Sequence, residues 1–160
     1  MLVWKRGMNG EQSLVPPLPE ILPIESLETL VSEDFIDRNG HMGASNYFLL
    51  FQQALHALFR PLGFGPPYQQ RGLTVFQRKA LISYERELRL GDPIVIQSWL
   101  MGYDERSFHH YHEMRKCKDG PLVASIEYLS TNVDFASWRS VAFQEVLGRA
   151  FTRCLRGLDG

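Results

Sequence analysis

The sequence is poor in cysteine and has no long apolar run. Cys117 and Cys154 lie far apart, with no CxxC pair and no ligand-like spacing of histidines, so we expect two reduced thiols and no bound metal. No apolar run approaches the roughly 18 to 20 residues that a helix needs to cross a bilayer. The stretch from Met1 to Gly10 carries charge but lacks the apolar segment of a signal peptide. These absences predict a cytoplasmic protein with no membrane partner.

An excess of charge of either sign is also missing. The chain has 17 basic and 18 acidic residues, for a net charge of −1. So small a net charge creates no basic field for nucleic acid, and we expect no nucleic-acid partner. A local basic patch for a phosphorylated small ligand stays open, because arginine binds phosphate in a forked geometry. The candidates are Lys79, Arg86, Arg89, Arg106 and Arg139.

The residues that are present suit one domain with its own core. The chain has 160 residues, of which 44% are apolar. Residues 13–24 hold four prolines, which argue against a helix there. We therefore expect an extended, proline-rich lead-in over residues 1–23 and a single domain over residues 24–160.

The spacing of apolar residues predicts the order of helices and strands. Over residues 46–65 they recur at three- and four-residue steps, which predicts a long helix that is apolar on most sides and therefore buried. Short connections between the later strands favour an antiparallel sheet, and the order of elements predicts an α+β fold in which a sheet covers one helix. Strands are predicted over 24–33, 73–90, 91–103, 107–120 and 121–135, and a last amphipathic helix over 140–155.

The stretch "DRNGHMGASNYF", residues 37–48, places an acid just before the predicted long helix. If that helix begins near Ser45, its first backbone N–H groups point toward Asp37 and can receive negative charge on a carbonyl oxygen. Gly43 and Ala44 would let a substrate approach the backbone closely. A carboxylate beside such amides suits acyl transfer. The alternative is an ordinary Asp-Arg-Asn-Gly turn with Ser45 as a helix N-cap.

The stretch "HHYH", residues 109–112, suggests a metal site at first sight. On a strand, His110 and His112 share one face while His109 lies on the other. Two histidines without a third ligand at a suitable spacing make a poor zinc site. We expect this strand face to line an acyl pocket or to be solvated.

The stretch "DRNGHMGASNYFLLFQQA" resembles the signature of the hotdog-fold acyl-CoA thioesterases, the 4-hydroxybenzoyl-CoA thioesterase-like family. The blocks "ISYERELRLGDPIVI" (82–96) and "GPLVASIEYLSTNVDFASWRSVAF" (120–143) are similar to that family's strand pair with a Gly-Asp turn and to its last strand. The resemblance covers about residues 24–148. The residues that match the signature are Asp37, Gly40, His41, Tyr47, Phe51 and Ala54.

The resemblance implies a fold, an assembly and an activity. The fold is the hotdog, a curved antiparallel sheet wrapped around one long helix. The assembly is a dimer or a tetramer, with the acyl-CoA site between subunits and no cofactor beyond the coenzyme A of the substrate. By position, Asp37 corresponds to the family's catalytic acid, acting as nucleophile or general base. The helix-start amides over residues 43–45 correspond to the element that polarises the thioester carbonyl.

The motif also departs from the family's pattern. The usual Asn-Asn pair is Gly43-Ala44 here, and Phe35 stands where an acid is often found. Some relatives use an acid on the helix, but Gln52 and Gln53 are neutral, so we expect Asp37 to be the only nearby carboxylate. The departures keep a second hypothesis open, a non-catalytic hotdog protein that binds acyl-CoA or another apolar ligand. A dehydratase is a weaker third option. Such enzymes usually pair a histidine with an acid across subunits, whereas Asp37 and His41 lie close together in one chain.

Several roles within the motif stay open at the level of sequence. His41 can orient Asp37 or hold a water molecule, or it can pack beneath the helix. Ser45 and Asn46 can contact the thioester or cap the helix. Tyr47, next to them, is a substrate-binding candidate, although it and its neighbours Phe48 and Phe51 suit a core.

A further resemblance concerns the acyl group. The "HHYHEM" strand and the "ERELRLGD" block look like the thioesterase domains found with carnitine breakdown, whose substrate is betainyl-CoA. A quaternary ammonium would suit an aromatic-lined pocket through cation–π attraction.

Overall fold

A computed structural model describes residues 24–60, 62–143, 148 and 151. A 3-10 turn, Glu33–Phe35, separates the first strand from the long helix. The predicted lead-in over 1–23 lies outside the described residues. The elements, in chain order, are β1 (Ile24–Leu30), α1 (Ala44–Phe59), α2 (Pro66–Gln70), β2 (Leu73–Tyr84), β3 (Pro93–Tyr103), β4 (Ser107–Arg115) and β5 (Leu122–Asp134).

The five strands form one antiparallel sheet in the order β1-β3-β4-β5-β2. The antiparallel arrangement confirms the prediction made from short connections. The β3–β4 turn is closed by the Asp104 side chain, whose Oδ1 accepts the N–H groups of Arg106 and Ser107 at 2.8 and 2.7 Å. The β4–β5 turn is closed by Gly120, whose N–H donates to Cys117 O at 3.0 Å. In the described chain, β1 and β2 are therefore the edge strands.

Helix α1 packs along one face of this sheet, as the α+β prediction requires. The ring of Phe51 and the methyl of Ala54 are fully buried at the centre of the helix–sheet contact. Together with the sheet order, this confirms the predicted hotdog fold. The residues of the helix-side core include Tyr47, Leu50, Phe51, Ala54 and Leu55 from α1, Ile94 and Ile96 from β3, Met114 from β4, and Ile126 and Tyr128 from β5.

The sheet covers one side of α1 and leaves another open. Phe48 and Leu49 are 40% and 45% exposed, whereas Leu50 and Phe51 are buried. The prediction that the apolar helix is enclosed on most sides, with Phe48 in the core, is therefore wrong for the single chain. The reason is geometric, because one sheet contacts only one face of α1, which is formed by residues three or four positions apart.

Two predicted elements differ clearly in extent from the observed ones. Strand β2 ends at Tyr84 rather than at residue 90, because the N–H groups of Glu85 and Arg86 both donate to Val123 O and the ladder stops there. The helix predicted over 140–155 does not begin at 140: Ser140 forms an isolated bridge with Val133, and residues 141–143 are irregular. Residues 148 and 151 are helical, and the rest of that prediction lies outside the described residues.

The short helix α2 was not predicted. Its first residue is Pro66, and proline is tolerated in a first helical turn because its missing N–H has no acceptor there. No helix among the described residues is long and apolar enough to cross a membrane.

Candidate functional site

The loop that holds Asp37 is closed tightly on itself. Asp37 N–H donates to His41 O at 2.8 Å, and Gly40 N–H donates to Asp37 O at 3.1 Å, with Gly40 at φ 79°. One oxygen of the Asp37 carboxylate accepts the N–H of Asn39 at 2.8 Å. The segment is thus the turn that its composition predicts. The exposed Asp37 side chain still offers its second oxygen to a substrate or a water molecule.

The first residues of α1 lie beside this loop. Gly43 is the N-cap, in an extended conformation and without a side-chain cap, so Ser45 is inside the helix and is not its cap. A Cβ added to Gly43 would lie 3.7 Å from Cβ of Asp37. The amides of Ala44 and Ser45 have no acceptor within the helix because the chain one turn earlier is not helical. Both residues are exposed, and their amides are the candidates to bind an acyl oxygen.

The side chains of Asn46 and Tyr47 support the loop. Asn46 Nδ2 donates to Phe35 O at 3.1 Å. Tyr47 is 4% exposed, and its hydroxyl donates to Arg86 O at 3.3 Å. Of the predicted substrate contacts, Ala44 and Ser45 are therefore the exposed residues.

His41 contacts a carboxylate from another loop. Its Nε2 lies 3.1 Å from Glu87 Oε2, and Arg89 Nη2 lies 2.9 Å from Glu87 Oε1. The loop is held here because Met42 N–H donates to Leu88 O at 2.8 Å. The hydrogen bond from Arg89 and the nearby His41 hold the pKa of Glu87 below its usual value. The roles proposed for His41, which were to orient Asp37, to hold a water molecule or to pack beneath the helix, do not include this contact with Glu87.

Two tyrosines complete the surroundings of the helix start. Tyr84, the last residue of β2, donates its hydroxyl to Ala44 O at 3.3 Å. Its ring meets the ring of Tyr47 edge to face, with centroids 5.3 Å apart. Burial raises the pKa of Tyr47, and the negative charges of Glu87 and Asp37 act in the same direction.

With this geometry, the chain can be compared with known proteins. Residues 31–151 match the model of one family, described as the thioesterase-like superfamily. This chain belongs to that superfamily. The match includes Asp37, the start of α1 and every strand except β1, and the loop and helix start described above are the candidate thioesterase-like site.

Relatives of known name agree with this membership. The betainyl-CoA thioesterase of Pseudomonas aeruginosa is 27% identical over 128 residues, which are 79% of this chain and 80% of that protein. The L-carnitine dehydrogenase/betainyl-CoA thioesterase of Agrobacterium fabrum is 28% identical over 128 residues, but the match covers 80% of this chain and 26% of that protein. This chain thus spans about a quarter of the length of that relative.

A solved structure agrees on the fold. A Staphylococcus aureus protein in complex with CoA superimposes with a TM-score of 0.76 and 23% identity, covering 90% of this chain and 89% of that one. At this identity the likeness establishes the hotdog architecture.

The thioesterase-like site contains two residues that the motif did not indicate, Glu87 and Tyr84. The expectation that Asp37 is the only carboxylate near the helix start, based on the neutral Gln52 and Gln53, is therefore wrong. Both added residues come from the "ISYERELRLGDPIVI" block, which the family resemblance included without assigning roles. No local pattern could have revealed them, because the pairing of β2 with β5 brings them to α1.

The histidines of β4 lie on the helix-facing side of the sheet. His110 and His112 are 1% and 0% exposed, and His110 Nδ1 lies 2.8 Å from His112 Nε2. His110 Nε2 contacts Ser130 Oγ at 2.7 Å, and His112 Nδ1 contacts Ser98 Oγ at 2.6 Å. The ring of Phe51 in α1 is 6.5 Å from that of His112. The shared face is confirmed, and the expectation of a solvated surface is wrong.

The partners of this histidine pair determine its protonation. Ser26 donates its hydroxyl to Ile96 O at 3.0 Å, so its oxygen accepts from Ser98 at 2.7 Å. Ser98 then accepts the Nδ1–H of His112, whose Nε2 accepts the Nδ1–H of His110. Burial lowers the pKa of His112 to about 3 and that of His110 well below its usual value. Both rings are therefore neutral, with the proton on Nδ1.

A cavity of about 380 Å³ lies elsewhere, at the β1 edge of the sheet. It is lined by Glu25 and Glu28 of β1, by Val95 of β3, and by Cys117 and Lys118 among others. Asp37 and the start of α1 do not line it, so it is not part of the thioesterase-like site. Among the described residues, no three of the ligand types histidine, cysteine, aspartate and glutamate come together to hold a metal ion.

Proposed function

We propose that this protein hydrolyses the thioester of an acyl-CoA to a free acid and coenzyme A. The observation that carries the proposal is that Asp37 lies beside the N-cap Gly43, next to Ala44 and Ser45, the exposed first residues of α1. A carboxylate that activates a nucleophile and amides that receive an oxyanion are the two groups that acyl transfer requires.

In the reaction as proposed, the thioester oxygen accepts hydrogen bonds from the Ala44 and Ser45 amides. The positive end of the α1 dipole favours the negative charge that develops on that oxygen. Asp37 takes a proton from water as the water oxygen attacks the carbonyl carbon, or attacks that carbon itself to give an anhydride that water then opens. The carbon–sulfur bond breaks, and the thiolate of coenzyme A leaves and is protonated.

We propose further that the acyl group carries a quaternary ammonium, as in betainyl-CoA. The support is the name shared by the relatives at 27% and 28% identity. The aromatic rings and carboxylates around the start of α1 also suit a cation.

Self-association is part of the same proposal. Asp37 is exposed in the single chain, whereas water-excluded sites make electrostatic catalysis effective. The outer edge of β2 carries Phe76 and Leu81, which are 52% and 40% exposed, and Trp138 beside it is 60% exposed. A long apolar edge of this kind is typically paired or covered. We therefore propose that two copies associate through β2, beside the site. The cytoplasmic location stays a prediction from composition.

The test of catalysis is thiol release from a panel of acyl-CoAs, followed with a thiol-reactive dye. Asp37→Asn and Asp37→Ala should lose about 10²- to 10⁴-fold in kcat for the best substrate, while urea unfolding shows both variants folded. Asp34→Asn, which changes another exposed acid three residues away, should retain activity and serves as the matched control. Full activity in both Asp37 variants would rule out the mechanism.

A second candidate function is favoured by the composition of the helix start. Gly43 and Ala44 stand where the family resemblance usually has two asparagines, so the side-chain amides that could orient the acyl group are missing. In that case the chain would bind acyl-CoA without cleaving it. A thermal shift with acyl-CoA but no thiol release from any member of the panel would support binding alone.

A further inference from the structure

Tyr84 is a half-exposed aromatic residue placed at the start of α1. Its side chain is 50% exposed, although its ring packs against the buried ring of Tyr47. Its hydroxyl donates to Ala44 O at 3.3 Å, across 40 residues of sequence. This contact holds the ring next to the residue whose amide is proposed to receive the thioester oxygen.

The surroundings of the Tyr84 ring favour a positive ligand. The Glu87 carboxylate contacts His41 at 3.1 Å, and His41 closes the turn that begins at Asp37. The carbonyl oxygens of Ala44 and Arg86 accept hydrogen bonds from the two tyrosines and add negative partial charge. Glu87 contacts Arg89 at 2.9 Å and His41 at 3.1 Å, so the charges of Glu87 and Arg89 partly offset each other.

The shape of a betainyl thioester matches this placement. A single methylene separates its quaternary nitrogen from the thioester carbonyl carbon. If the carbonyl oxygen binds the amides of Ala44 and Ser45, the cation must therefore lie close to the same backbone. An attractive cation–π contact needs a separation of about 6 Å from a ring centroid. The hydrogen bond from the Tyr84 hydroxyl to Ala44 O places the ring beside that same backbone.

We propose that the ring of Tyr84 is the specificity-determining contact for a cationic acyl group in this site. The inference rests on the proposed thioesterase function and adds the residue that selects the acyl charge. Tyr84 binds the ammonium through its ring face and takes no part in bond making or breaking.

The experiment compares two substrates of nearly the same shape. Betainyl-CoA carries a trimethylammonium group, and 3,3-dimethylbutyryl-CoA replaces that nitrogen with carbon and is neutral. The ratio of their kcat/KM values isolates the contribution of charge. The wild-type protein should prefer betainyl-CoA by about 10-fold or more. The full chain is used for the wild type and for each variant.

Three variants separate the ring from the hydroxyl. Tyr84→Leu should lower the preference by about 3- to 30-fold, mainly by slowing betainyl-CoA, because it removes the ring. Tyr84→Phe keeps the ring and loses only the bond to Ala44 O, so its preference should stay within about 2-fold of wild type. Phe135→Leu, at an aromatic residue that is 57% exposed in the loop after β5, is the matched control and should change nothing. If Tyr84→Leu does not fold, Tyr84→Gln replaces it.

The outcomes distinguish this inference from the proposed function. If no thiol is released from either substrate or from any other acyl-CoA, the proposed function is overturned. Hydrolysis of both substrates at equal kcat/KM leaves a thioesterase but overturns selection of a cation. An unchanged preference in Tyr84→Leu, or an equal loss in Tyr84→Leu and Tyr84→Phe, overturns the role of the ring.

Discussion

Lowering the pH from 8 to 5 should destabilise this fold, because His112 lies buried and neutral between the sheet and α1. Burial holds the pKa of His112 at about 3, against 6.5 in a solvated chain. Below pH 6.5 the His112 ring therefore binds a proton in the unfolded chain but stays neutral in the folded protein until the pH approaches 3. The contribution to stability is fully present above pH 6.5 and is lost progressively as the pH falls toward 3.

The size of the effect follows from the shift. Each unit of pKa difference corresponds to about 1.4 kcal/mol, so His112 alone should remove about 2 kcal/mol of stability between pH 8 and pH 5. His110 acts in the same direction, since its pKa is also lowered. Carboxylates whose pKa is lowered in the folded protein, such as Glu87 and Asp92, lose their contribution at lower pH, near their unfolded pKa values. A loss of about 2 kcal/mol is large against a typical total stability of about 5 to 15 kcal/mol.

The measurement is urea unfolding at pH 8 and pH 5, with the wild type and two variants. His112→Gln keeps a donor and an acceptor but cannot titrate, so its loss of stability over this interval should be smaller by about 2 kcal/mol. At pH 8 it should itself be less stable by about 1 to 3 kcal/mol, because the glutamine cannot reproduce both ring hydrogen bonds. His56→Gln, which removes an exposed histidine of α1, is the matched control. An equally steep loss in His112→Gln would refute the reasoning.

Two further predictions concern the core and the edge of the sheet. Phe51→Ala should lower the free energy of unfolding by about 3 to 5 kcal/mol, because the fully buried ring fills the space between α1 and the sheet; a loss below about 1 kcal/mol in urea would contradict that packing. Leu81→Lys on β2 should shift a dimer toward monomer in light scattering, whereas Leu30→Lys on the opposite edge strand should not; an unchanged mass for the first variant would reject association through β2.

Local patterns in the sequence were sufficient for most of the fold. The three- and four-residue spacing around Phe51 correctly predicted α1, and its start was placed within one residue, at Ser45 instead of Ala44. Runs of strand-forming residues located all five strands, although β2 was extended six residues too far. The excess arose because strand formers such as Leu88 continue past Tyr84 while the β5 ladder does not. Patterns report which backbone conformation is favourable, but pairing decides where it stops.

The position of Asp37 beside the helix start was also predictable from local sequence. A turn closed by Asn39 and Gly40 and a helix start at Gly43 are both local, so a short segment of chain contains them entirely. The catalytic role of Asp37 is a prediction from this local chemistry and from the resemblance. The role of His41 could not be predicted, because its partner Glu87 lies on a loop that only the folded chain brings near.

The sequence by itself determined the α+β class, the order of the elements and the position of an acid before a helix, because these depend on residues close together in the chain. Tertiary structure decided which residues surround that acid and which titratable side chains are buried away from solvent. Tyr84 reaches Ala44 across 40 residues, and the pairing of β4 with β3 and β5 encloses His110 and His112. Desolvation and charge depend on distances in space, and folding sets those distances through contacts that sequence spacing does not reveal.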